Sequence, residues 1–260
     1  MKAPALMLGL ALAVLAAGCR HAPAPQPLPL GTAAPAPGAR PDDGTAAFPL
    51  TVGARWVYQG TVKWTAPNSS QLRTDTVTWT LEVLEKTVRG HVTGWRLRGA
   101  PTDLAGYQAG MKPAEHVLLQ AGAGKFYLLD AEDGPHLWSR LTNPHDDLPG
   151  IEFAEPALQL ELPLRDGQVF GETSQLCRLD RSYCWHVTAG DTLDWPVQGL
   201  PDTAAPRQLY QLAYPSLPDT TTVWFCHGVG IVRFSCRHHG SPAETDVRLV
   251  EFHPGPLPAR

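Results

Sequence analysis

The residues of this chain with the greatest potential for chemistry are cysteines and histidines near its C-terminal end. Cys226, His227, Cys236, His238 and His239 lie close together in the sequence, and thiolate and imidazole groups are ligands that zinc and copper take in proteins. The spacing Cys-x9-Cys-x-His-His matches no established zinc-binding pattern, and the residues at 238–242 have the composition of an exposed turn. We therefore predict no metal site here.

Disulfides are the alternative role for the cysteines. Beyond Cys19 the chain contains Cys177, Cys184, Cys226 and Cys236. If the chain is exported, as its N-terminal residues indicate below, this even number predicts two disulfides, with three connectivities open. A two-residue hairpin loop at 180–181 would place Cys177 opposite Cys184, with Cβ atoms about 5 Å apart. We therefore predict a Cys177–Cys184 disulfide.

The remaining pair would be Cys226 and Cys236. In a regular hairpin looped at 227–230, Cys226 pairs with Ile231 and Cys236 lies on the opposite face of the sheet. A second disulfide between them therefore requires a β-bulge or a different turn.

Catalytic and cofactor-binding motifs are missing from the sequence. It has no Gly-x-Ser-x-Gly and no His-Glu-x-x-His, the signatures of a hydrolase nucleophile and of a zinc protease. Residues 122–125 resemble part of a phosphate-binding loop, but Phe126 stands where Ser or Thr must hold magnesium. The acidic residues Asp130, Glu132 and Asp133 are expected in a solvated loop. We therefore predict no catalytic residue and no cofactor, and a protein that is not an enzyme.

Alternating polar and apolar residues indicate antiparallel β-strands in most of the chain after residue 48. Trp56, Tyr58, Val62 and Trp64 alternate with polar residues, a pattern typical of half-buried strands. Comparable runs occur at 76–83, 95–97, 117–120, 126–129, 158–164, 184–188, 208–212, 220–226, 230–236 and 247–252. No helical periodicity is convincing after the N-terminal segment. The pattern predicts an all-β fold of antiparallel meanders that form a curved sheet, a sandwich or a partly open barrel.

A repeated sequence pattern predicts that the second half of the β-rich region is a duplicate of the first. Residues 48–56 and 162–170 share the pattern apolar-Pro-Leu-x-x-Gly-x-x-aromatic, and each leads into a strand. Proline ends the preceding element, glycine takes the turn, and the aromatic residue begins the new strand. We therefore expect one β-rich region at 48–260, with halves at 48–160 and 161–256.

The N-terminal residues have the pattern of a secretory signal. Met1-Lys2 is a basic start, 3–17 is an uncharged and largely apolar run, and Gly18-Cys19 closes it; the run is too short for a stable membrane span. The residues from Val14 to Cys19 resemble the bacterial lipobox, in which a cysteine is diacylated and becomes the mature N-terminus. Here Ala16 replaces the usual leucine.

The lipobox resemblance implies a signal peptide at 1–18 and permanent attachment to a membrane through the lipid on Cys19. Because Arg20 rather than aspartate follows the cysteine, it implies the outer membrane, facing the periplasm. From Arg20 to Ala47 the chain has seven prolines and eight alanines, too little apolar surface to form a core, so 19–47 is expected to be the lipidated residue and a disordered tether. The formal net charge of −4 argues against nucleic acid as a partner.

The globular part resembles a diffuse set of β-rich bacterial envelope lipoproteins of unassigned function. The residues that carry the resemblance are Phe48-Pro49-Leu50, Gly53, Trp56 and Tyr58, together with the segment from Val223 to Arg233, which contains Trp224 and Gly228-Val229-Gly230-Ile231-Val232. The resemblance implies an antiparallel β fold and an envelope location, and it implies no activity.

Two functions remain open from the sequence. The first is a binding or scaffolding module of the cell envelope that holds an unknown envelope protein on a sheet face or edge. The second is a carrier of an apolar ligand or lipid in a cavity of a curved sheet. The aromatic residues that would line such a cavity are Trp56, Tyr58, Trp64, Trp79, Trp95, Trp185 and Trp224; the alternative for them is simple packing in the core.

Lipidation is directly testable. Expression of the full chain in a bacterial host should give a mature protein that begins at a diacylated Cys19, because the run from Val14 to Cys19 resembles the lipobox. Mass spectrometry of the N-terminal peptide measures this. Cys19→Ala should release the β-rich region as a soluble periplasmic protein. An unmodified Cys19, or cleavage at another residue, would contradict the prediction.

Overall fold

The structure, a computed structural model, describes residues 47–66, 68–122, 124–146, 157–200 and 206–256. The predicted signal peptide, the lipidated Cys19 and the tether up to residue 46 lie outside the described residues, so these assignments stay predictions. Within the described ranges, no helix combines the length and the apolar character needed to span a bilayer.

Twelve strands, two α-helices and one 3₁₀ helix make up the regular structure of the described residues. The strands are β1 (Arg55–Thr65), β2 (Leu72–Arg89), β3 (Val92–Arg98), β4 (Glu115–Ala121), β5 (Lys125–Leu129), β6 (Leu158–Glu161), β7 (Val169–Gly171), β8 (Cys184–Thr192), β9 (Gln208–Pro215), β10 (Thr220–Cys226), β11 (Gly230–Arg237) and β12 (Glu244–His253). The helices are α1 (Gly134–Thr142), α2 (Thr173–Leu176) and the 3₁₀ helix Pro101–Gly106.

All twelve strands belong to one antiparallel sheet in the order β6-β5-β4-β3-β2-β1-β12-β11-β10-β9-β8-β7. Strands β1 to β6 form one meander and β7 to β12 a second, and the two join where β1 pairs with β12 from Arg55–His253 to Lys63–Glu244. The predicted all-β antiparallel fold is confirmed. Its arrangement is a single, nearly closed barrel-shaped sheet. The division into halves stays a prediction.

The backbone of edge strand β6 accepts side-chain hydrogen bonds from the residue that precedes the other edge strand, β7, and from β8. Gln168 Nε2 donates to the carbonyl oxygen of Glu161 at 3.1 Å, and Trp185 Nε1 donates to the carbonyl oxygen of Leu158 at 3.1 Å. Because β6 and β7 are only four and three residues long, little unpaired backbone is left at the edges for pairing with another chain.

Alternation along β1 decides which side chains fill the interior. Trp56 and Tyr58 are fully buried and Trp64 nearly so, whereas their polar neighbours face outward, as the period of two requires. A register shift between Val57 and Tyr58 against β12 marks a bulge, which bends the strand and adds to the twist needed to curve the sheet.

The segment before β1 closes the interior of the sheet near one end. The ring of Phe48 contacts those of Trp56, Phe126 and Phe225 at centroid distances of 5.9, 6.3 and 5.7 Å. Trp95 Nε1 donates to the carbonyl oxygen of Leu50 at 2.8 Å. Burial of a phenylalanine side chain alone stabilises a fold by about 1.5–3 kcal/mol, so this segment belongs to the folded region.

Helix α1 was not predicted from the sequence. It is nine residues long, with proline in its first turn, and it covers the outer face of the sheet. Leu141 on this helix joins Val92, Val117 and Leu119 in a small second core. One short amphipathic stretch has too few turns to show a clear helical period against the surrounding loops.

The pairing of β1 with β12 depends on Gly60. This residue lies opposite Val77 of β2 and Val247 of β12. A Cβ atom added at Gly60 would lie 2.7 Å from Val247 Cα and would overlap the carbonyl oxygen of Asp246. Since both atoms belong to the backbone, the strands would have to separate locally.

Gly60→Ala should therefore lower the free energy of unfolding by about 1–3 kcal/mol, the usual cost of overpacking. Denaturant unfolding followed by tryptophan fluorescence measures this. Gly190→Ala is the matched control, because Gly190 is also in a strand and an added Cβ there would be 3.5 Å from the nearest atom, Leu209 O. Equal unfolding midpoints for the two variants would show that the β1–β12 contact tolerates a side chain.

Candidate functional site

The predicted hairpin that would join Cys177 to Cys184 is wrong. Residues 173–176 form helix α2, and Cys177 follows this helix in an exposed position. Cys184 begins β8 and lies opposite Gly171 of β7. Arg181 and Tyr183 have φ angles of 55° and 61°, and Tyr183 N donates to the carbonyl oxygen of Pro215 at 2.7 Å. Residues 177–183 are therefore a loop, and both thiols are free.

The strand register separates the two cysteines of the second predicted disulfide. Cys226 lies opposite Gly230, and Cys236 lies opposite Thr221. Residues 221 and 226 are separated by about 16 Å along β10, at about 3.3 Å per residue, well beyond the Cα separation that a disulfide spans. Both thiols are free and buried, and burial raises the pKa of each.

The histidines near Cys236 lie beside one carboxylate. His238 Nε2 and His239 Nδ1 are 3.2 and 3.4 Å from the two oxygens of Asp219. Among the described residues, no three or more His, Cys, Asp or Glu side chains are grouped so that they could hold a metal ion.

The predicted ligand-lining tryptophans are mainly core residues. Trp56, Trp79, Trp95 and Trp185 are all at most 5% exposed, and each uses its ring N–H on a backbone carbonyl. The acceptors are Val229 for Trp56 (2.6 Å), Ala100 for Trp79 (3.2 Å), Leu50 for Trp95 (2.8 Å) and Leu158 for Trp185 (3.1 Å). Such pairing is what a buried indole requires.

The other three members of the predicted set also have partners within the protein. Trp64 Nε1 donates to Asp75 at 2.8 Å, and Tyr58 donates its hydroxyl to the carbonyl oxygen of Ile231 at 2.9 Å. Burial raises the pKa of Tyr58 far above its ordinary value. Trp224 is only half-buried, and the guanidinium of Arg233 lies 4.3 Å from its ring centroid.

A cavity of about 420 Å³ that is partly open to solvent lies along the inner face of the sheet, and we call it the interior cavity. Of the predicted tryptophans, Trp185 lines it, and the ring of Tyr214 packs against it in a tilted arrangement at a centroid distance of 5.1 Å. Its walls come from the 3₁₀ helix and from strands of both meanders. The lining residues are Thr102, Asp103, Ala105, His116, Leu128, Asp130, Gln159, Trp185, Tyr214, Thr221 and Phe234.

A smaller, almost wholly apolar space of about 60 Å³ adjoins the interior cavity, and we call it the apolar chamber. Thr102, Leu128 and Gln159 line both spaces. The remaining walls of the apolar chamber are Phe48, Leu81, Leu97, Ala100, Pro101, Leu118, Phe126, Leu160, Leu212, Val223, Phe225 and Ile231. The combined space is therefore apolar at one end and carries polar groups at the other.

Asp103 and His116 form a buried pair at the polar end. His116 Nε2 lies 2.5 Å from Asp103 Oδ1, and the two side chains are 10% and 5% exposed. Asp103 Oδ2 accepts the N–H of Ala114 at 3.1 Å. Since an ionised carboxylate can only accept, Nε2 carries the proton of this hydrogen bond. Nδ1 has no hydrogen-bond partner among the described residues.

The 3₁₀ helix and β4 bring this pair together. Pro101 begins the 3₁₀ helix, and Leu104 is fully buried. The carbonyl oxygen of Leu104 accepts the hydroxyl of Thr245 on β12 at 3.0 Å, which ties the helix to the inner face of the sheet. On β4, His116 shares the inward face with Leu118, a wall of the apolar chamber, because residues two apart face the same side.

Asp130 lies next to this pair at the end of β5. Its Oδ1 accepts the backbone N–H groups of Asp133 at 3.1 Å and of Glu132 at 2.8 Å. These hydrogen bonds, together with the nearby His116, lower the pKa of the Asp130 carboxyl from its ordinary value. The three acidic residues expected in a solvated loop are exposed, and one of them, Asp130, also lines the interior cavity.

Sequence reasoning missed Asp103, His116 and Thr102. The available signal was modest: His116 continues the alternation of inward-facing residues in β4, where an apolar residue would be the ordinary choice. Asp103 follows Pro101 in a short segment that no periodicity assigns to the interior of the sheet.

Comparisons with known proteins find two solved structures that align with most of this chain. A candidate lipoprotein from Parabacteroides distasonis ATCC 8503 is 13% identical, with a TM-score of 0.32, over 79% of this chain and 97% of that one. A candidate exported protein with a YmcC-like fold from Bacteroides fragilis NCTC 9343 is 10% identical, with a TM-score of 0.31, over 78% and 96%. At these scores neither likeness supports a functional argument.

No protein-family model and no curated protein matches the chain.

The titration of Asp130 is a test of the local geometry. The carboxyl should titrate below the value of an unfolded aspartate, about 3.9, because backbone N–H groups stabilise its ionised form. The stability that this group contributes is therefore fully present above its unfolded pKa and is lost as the pH falls through the lower folded value. Carbon-detected NMR of the side-chain carboxyl measures the midpoint.

Glu132→Ala is the control for this titration, because the donors are backbone groups and the variant retains both. Its Asp130 midpoint should stay below the unfolded value. A midpoint at or above the unfolded value in the parent chain would contradict the hydrogen bonding at Oδ1.

Proposed function

We propose that this chain is an envelope lipoprotein, anchored through Cys19, whose β-rich region is a binding module that holds an apolar or amphipathic small molecule. The observation that carries the proposal is the interior cavity of about 420 Å³ together with the adjoining apolar chamber. Small-molecule sites are typically apolar cavities of about 300–1,000 Å³ with a few polar groups that set orientation. The lipobox resemblance of Val14 to Cys19 supports the anchor and the envelope location.

The distribution of polar groups favours an amphipathic ligand. Thr102, Leu128 and Gln159 lie at the junction of the two spaces, and the other walls of the apolar chamber are all apolar side chains. A tail that enters the apolar chamber would gain about 25 cal/mol for each Å² of apolar surface removed from water. At the other end, Gln159 and Thr221 add neutral hydrogen-bonding groups to the Asp103–His116 pair.

Scaffolding through a sheet edge has less support. Each edge strand offers only three or four residues, and a peptide that adds to a sheet draws its affinity from a longer run of main-chain hydrogen bonds.

The cavity is tested by filling it. Thr221 lines the interior cavity and Thr222, its neighbour on β10, faces the opposite side of the sheet. Thr221→Trp should therefore reduce ligand binding at least about tenfold, because the indole occupies the space, whereas Thr222→Trp should bind as the parent does. The measurement is the amount of small molecule that copurifies with each protein, by mass spectrometry of an organic extract.

Circular dichroism should show the same strand content for both variants. Recovery of the same ligand in equal amounts from the parent, Thr221→Trp and Thr222→Trp would show that binding takes place outside the cavity. The absence of any ligand in the parent chain, extracted from its native membrane, would remove the basis of the proposal.

A further inference from the structure

One end of the barrel-shaped sheet contains the opening of the interior cavity. Of the lining residues, Gln159, Trp185 and Thr221 are each the second residue of a strand, and Tyr214 is the last but one of β9. In an antiparallel sheet these positions come together at the end where β1, β3, β5, β7, β9 and β11 finish. We call it the cavity end. Because Phe48 and the apolar chamber lie farther from this end, a ligand enters and leaves the cavity here.

Exposed leucines are concentrated at the cavity end. Among the described residues four leucines are exposed, and all four belong to this end. Leu72 begins β2, Leu176 and Leu179 lie between β7 and β8, and Leu217 lies between β9 and β10. The side chain of Leu179 is fully exposed, and Leu217 is 57% exposed. We call Leu176, Leu179 and Leu217 the leucine rim, because they lie on neighbouring connections.

The leucine rim borders the opening of the cavity. The β9–β10 connection is flanked by Tyr214 and Thr221, which both line the interior cavity. The β7–β8 connection leads directly into Trp185, another lining residue. Tyr183 N donates to the carbonyl oxygen of Pro215 at 2.7 Å, which holds the two connections side by side. A surface that covers the leucine rim therefore lies next to the opening.

The loop that carries Leu179 bonds its polar side chains to one another and turns its apolar side chain to solvent. Arg178 donates to the two carboxylate oxygens of Asp180 at 2.9 and 2.6 Å, and its guanidinium lies 5.1 Å from the ring centroid of Tyr183. Asp180 Oδ1 accepts the hydroxyl and the N–H of Ser182 at 2.8 and 3.1 Å. Grouped apolar side chains that a folded loop exposes in this way mark protein or membrane contact sites.

The position of the tether favours a bilayer as the contact. The described chain begins at the end opposite the leucine rim, where Gly228 N donates to the carbonyl oxygen of Ala47 at 2.8 Å. Residues 20–46 would span up to about 80 Å if extended, whereas β1, with eleven residues, spans about 36 Å. A lipid on Cys19 therefore leaves enough chain for the cavity end to lie against the same membrane, and it keeps that surface close at all times.

We infer that the leucine rim docks on the lipid bilayer that carries the anchor, so that the interior cavity opens toward the membrane surface. The leucine side chains would enter the acyl region and remove apolar surface from water. Arg181, which is exposed beside Leu179, can keep its charge among the head groups because its apolar stem spans the interface. An amphipathic ligand would then pass between bilayer and cavity without crossing water. This last step rests on the proposed function, whereas the docking itself does not.

Cys177 provides the reporter for the test, because it is the one exposed cysteine among the described residues and adjoins Leu176. The full chain, reconstituted in vesicles of phosphatidylethanolamine and phosphatidylglycerol, is labelled with a thiol-reactive fluorophore, and Cys177→Ser gives the background. Phospholipids that carry a nitroxide quench a fluorophore at the bilayer, and iodide quenches one in water. We expect strong nitroxide quenching and weak iodide quenching. Both should persist in high salt, because the contact is apolar and screening affects only charges.

Two variants identify the leucine rim as the contact. Leu179→Asp should reduce nitroxide quenching of the Cys177 label at least about threefold and raise iodide quenching, because a carboxylate does not enter the acyl region. Val88→Asp is the matched control: Val88 is 64% exposed, near the β2–β3 turn at the opposite end, and this variant should be quenched as the parent is. Leu179→Phe should retain the quenching. Circular dichroism should show the same strand content for all three.

The outcomes separate the docking from the proposed function. Equal nitroxide quenching of the parent and Leu179→Asp would overturn the docking. Protection from iodide without nitroxide quenching would overturn it too, since another protein would then cover the leucine rim, and so would failure of the chain to associate with the vesicles. A ligand that copurifies with a parent chain whose label the nitroxide lipids do not quench would leave the cavity as a binding site and overturn this inference. Quenching in a chain that copurifies no ligand would support the docking and overturn the proposed function.

Discussion

A nearly closed sheet of twelve strands encloses more space than its own side chains can fill, and the rest of this structure follows from that constraint. Sheets of about eight strands close around an interior that side chains just fill, and wider ones leave room for a ligand or need a plug. Here Phe48 enters from the N-terminal side, and the 3₁₀ helix Pro101–Gly106 covers part of the inner face. The interior cavity is the space that these two segments leave empty.

The two meanders are joined by strand pairing at one junction and remain unpaired at the other. Equivalent turns begin them: Gly53 N donates to Val83 O at 2.8 Å, and Gly167 N donates to Val187 O at 3.0 Å. At the paired junction, β1 and β12 form a full ladder of backbone hydrogen bonds. At the unpaired junction, β6 and β7 are too short to pair over any length. Gln159 of β6 lines the interior cavity. The space therefore lies on the side where the ladder of backbone hydrogen bonds is interrupted.

The strands could be predicted because their signal is local. Inward-facing residues such as Trp56 and Tyr58 recur every second position, and this alternation alone assigns a strand and its buried face. The same alternation could not predict which residues lie opposite the cysteines. A short helix precedes Cys177, and Cys184 therefore pairs with Gly171 instead. Alternation also could not distinguish a tryptophan that packs in the core from one that lines a ligand cavity, because both face inward. The core tryptophans are recognised in the structure by the backbone carbonyl to which each ring N–H donates.

The candidate site depends on contacts that no local pattern encodes. The 3₁₀ helix that carries Asp103 is tied to the sheet by the hydrogen bond from Thr245 to Leu104, 141 positions apart in the chain. A buried histidine with an unpartnered nitrogen costs stability, since a desolvated polar atom without a hydrogen bond is unfavourable by about 1–3 kcal/mol. Nearly all buried polar atoms in folded proteins avoid that cost. Sequences that break such a rule do so mainly at functional sites, and His116, whose Nδ1 has no hydrogen-bond partner among the described residues, lines the interior cavity.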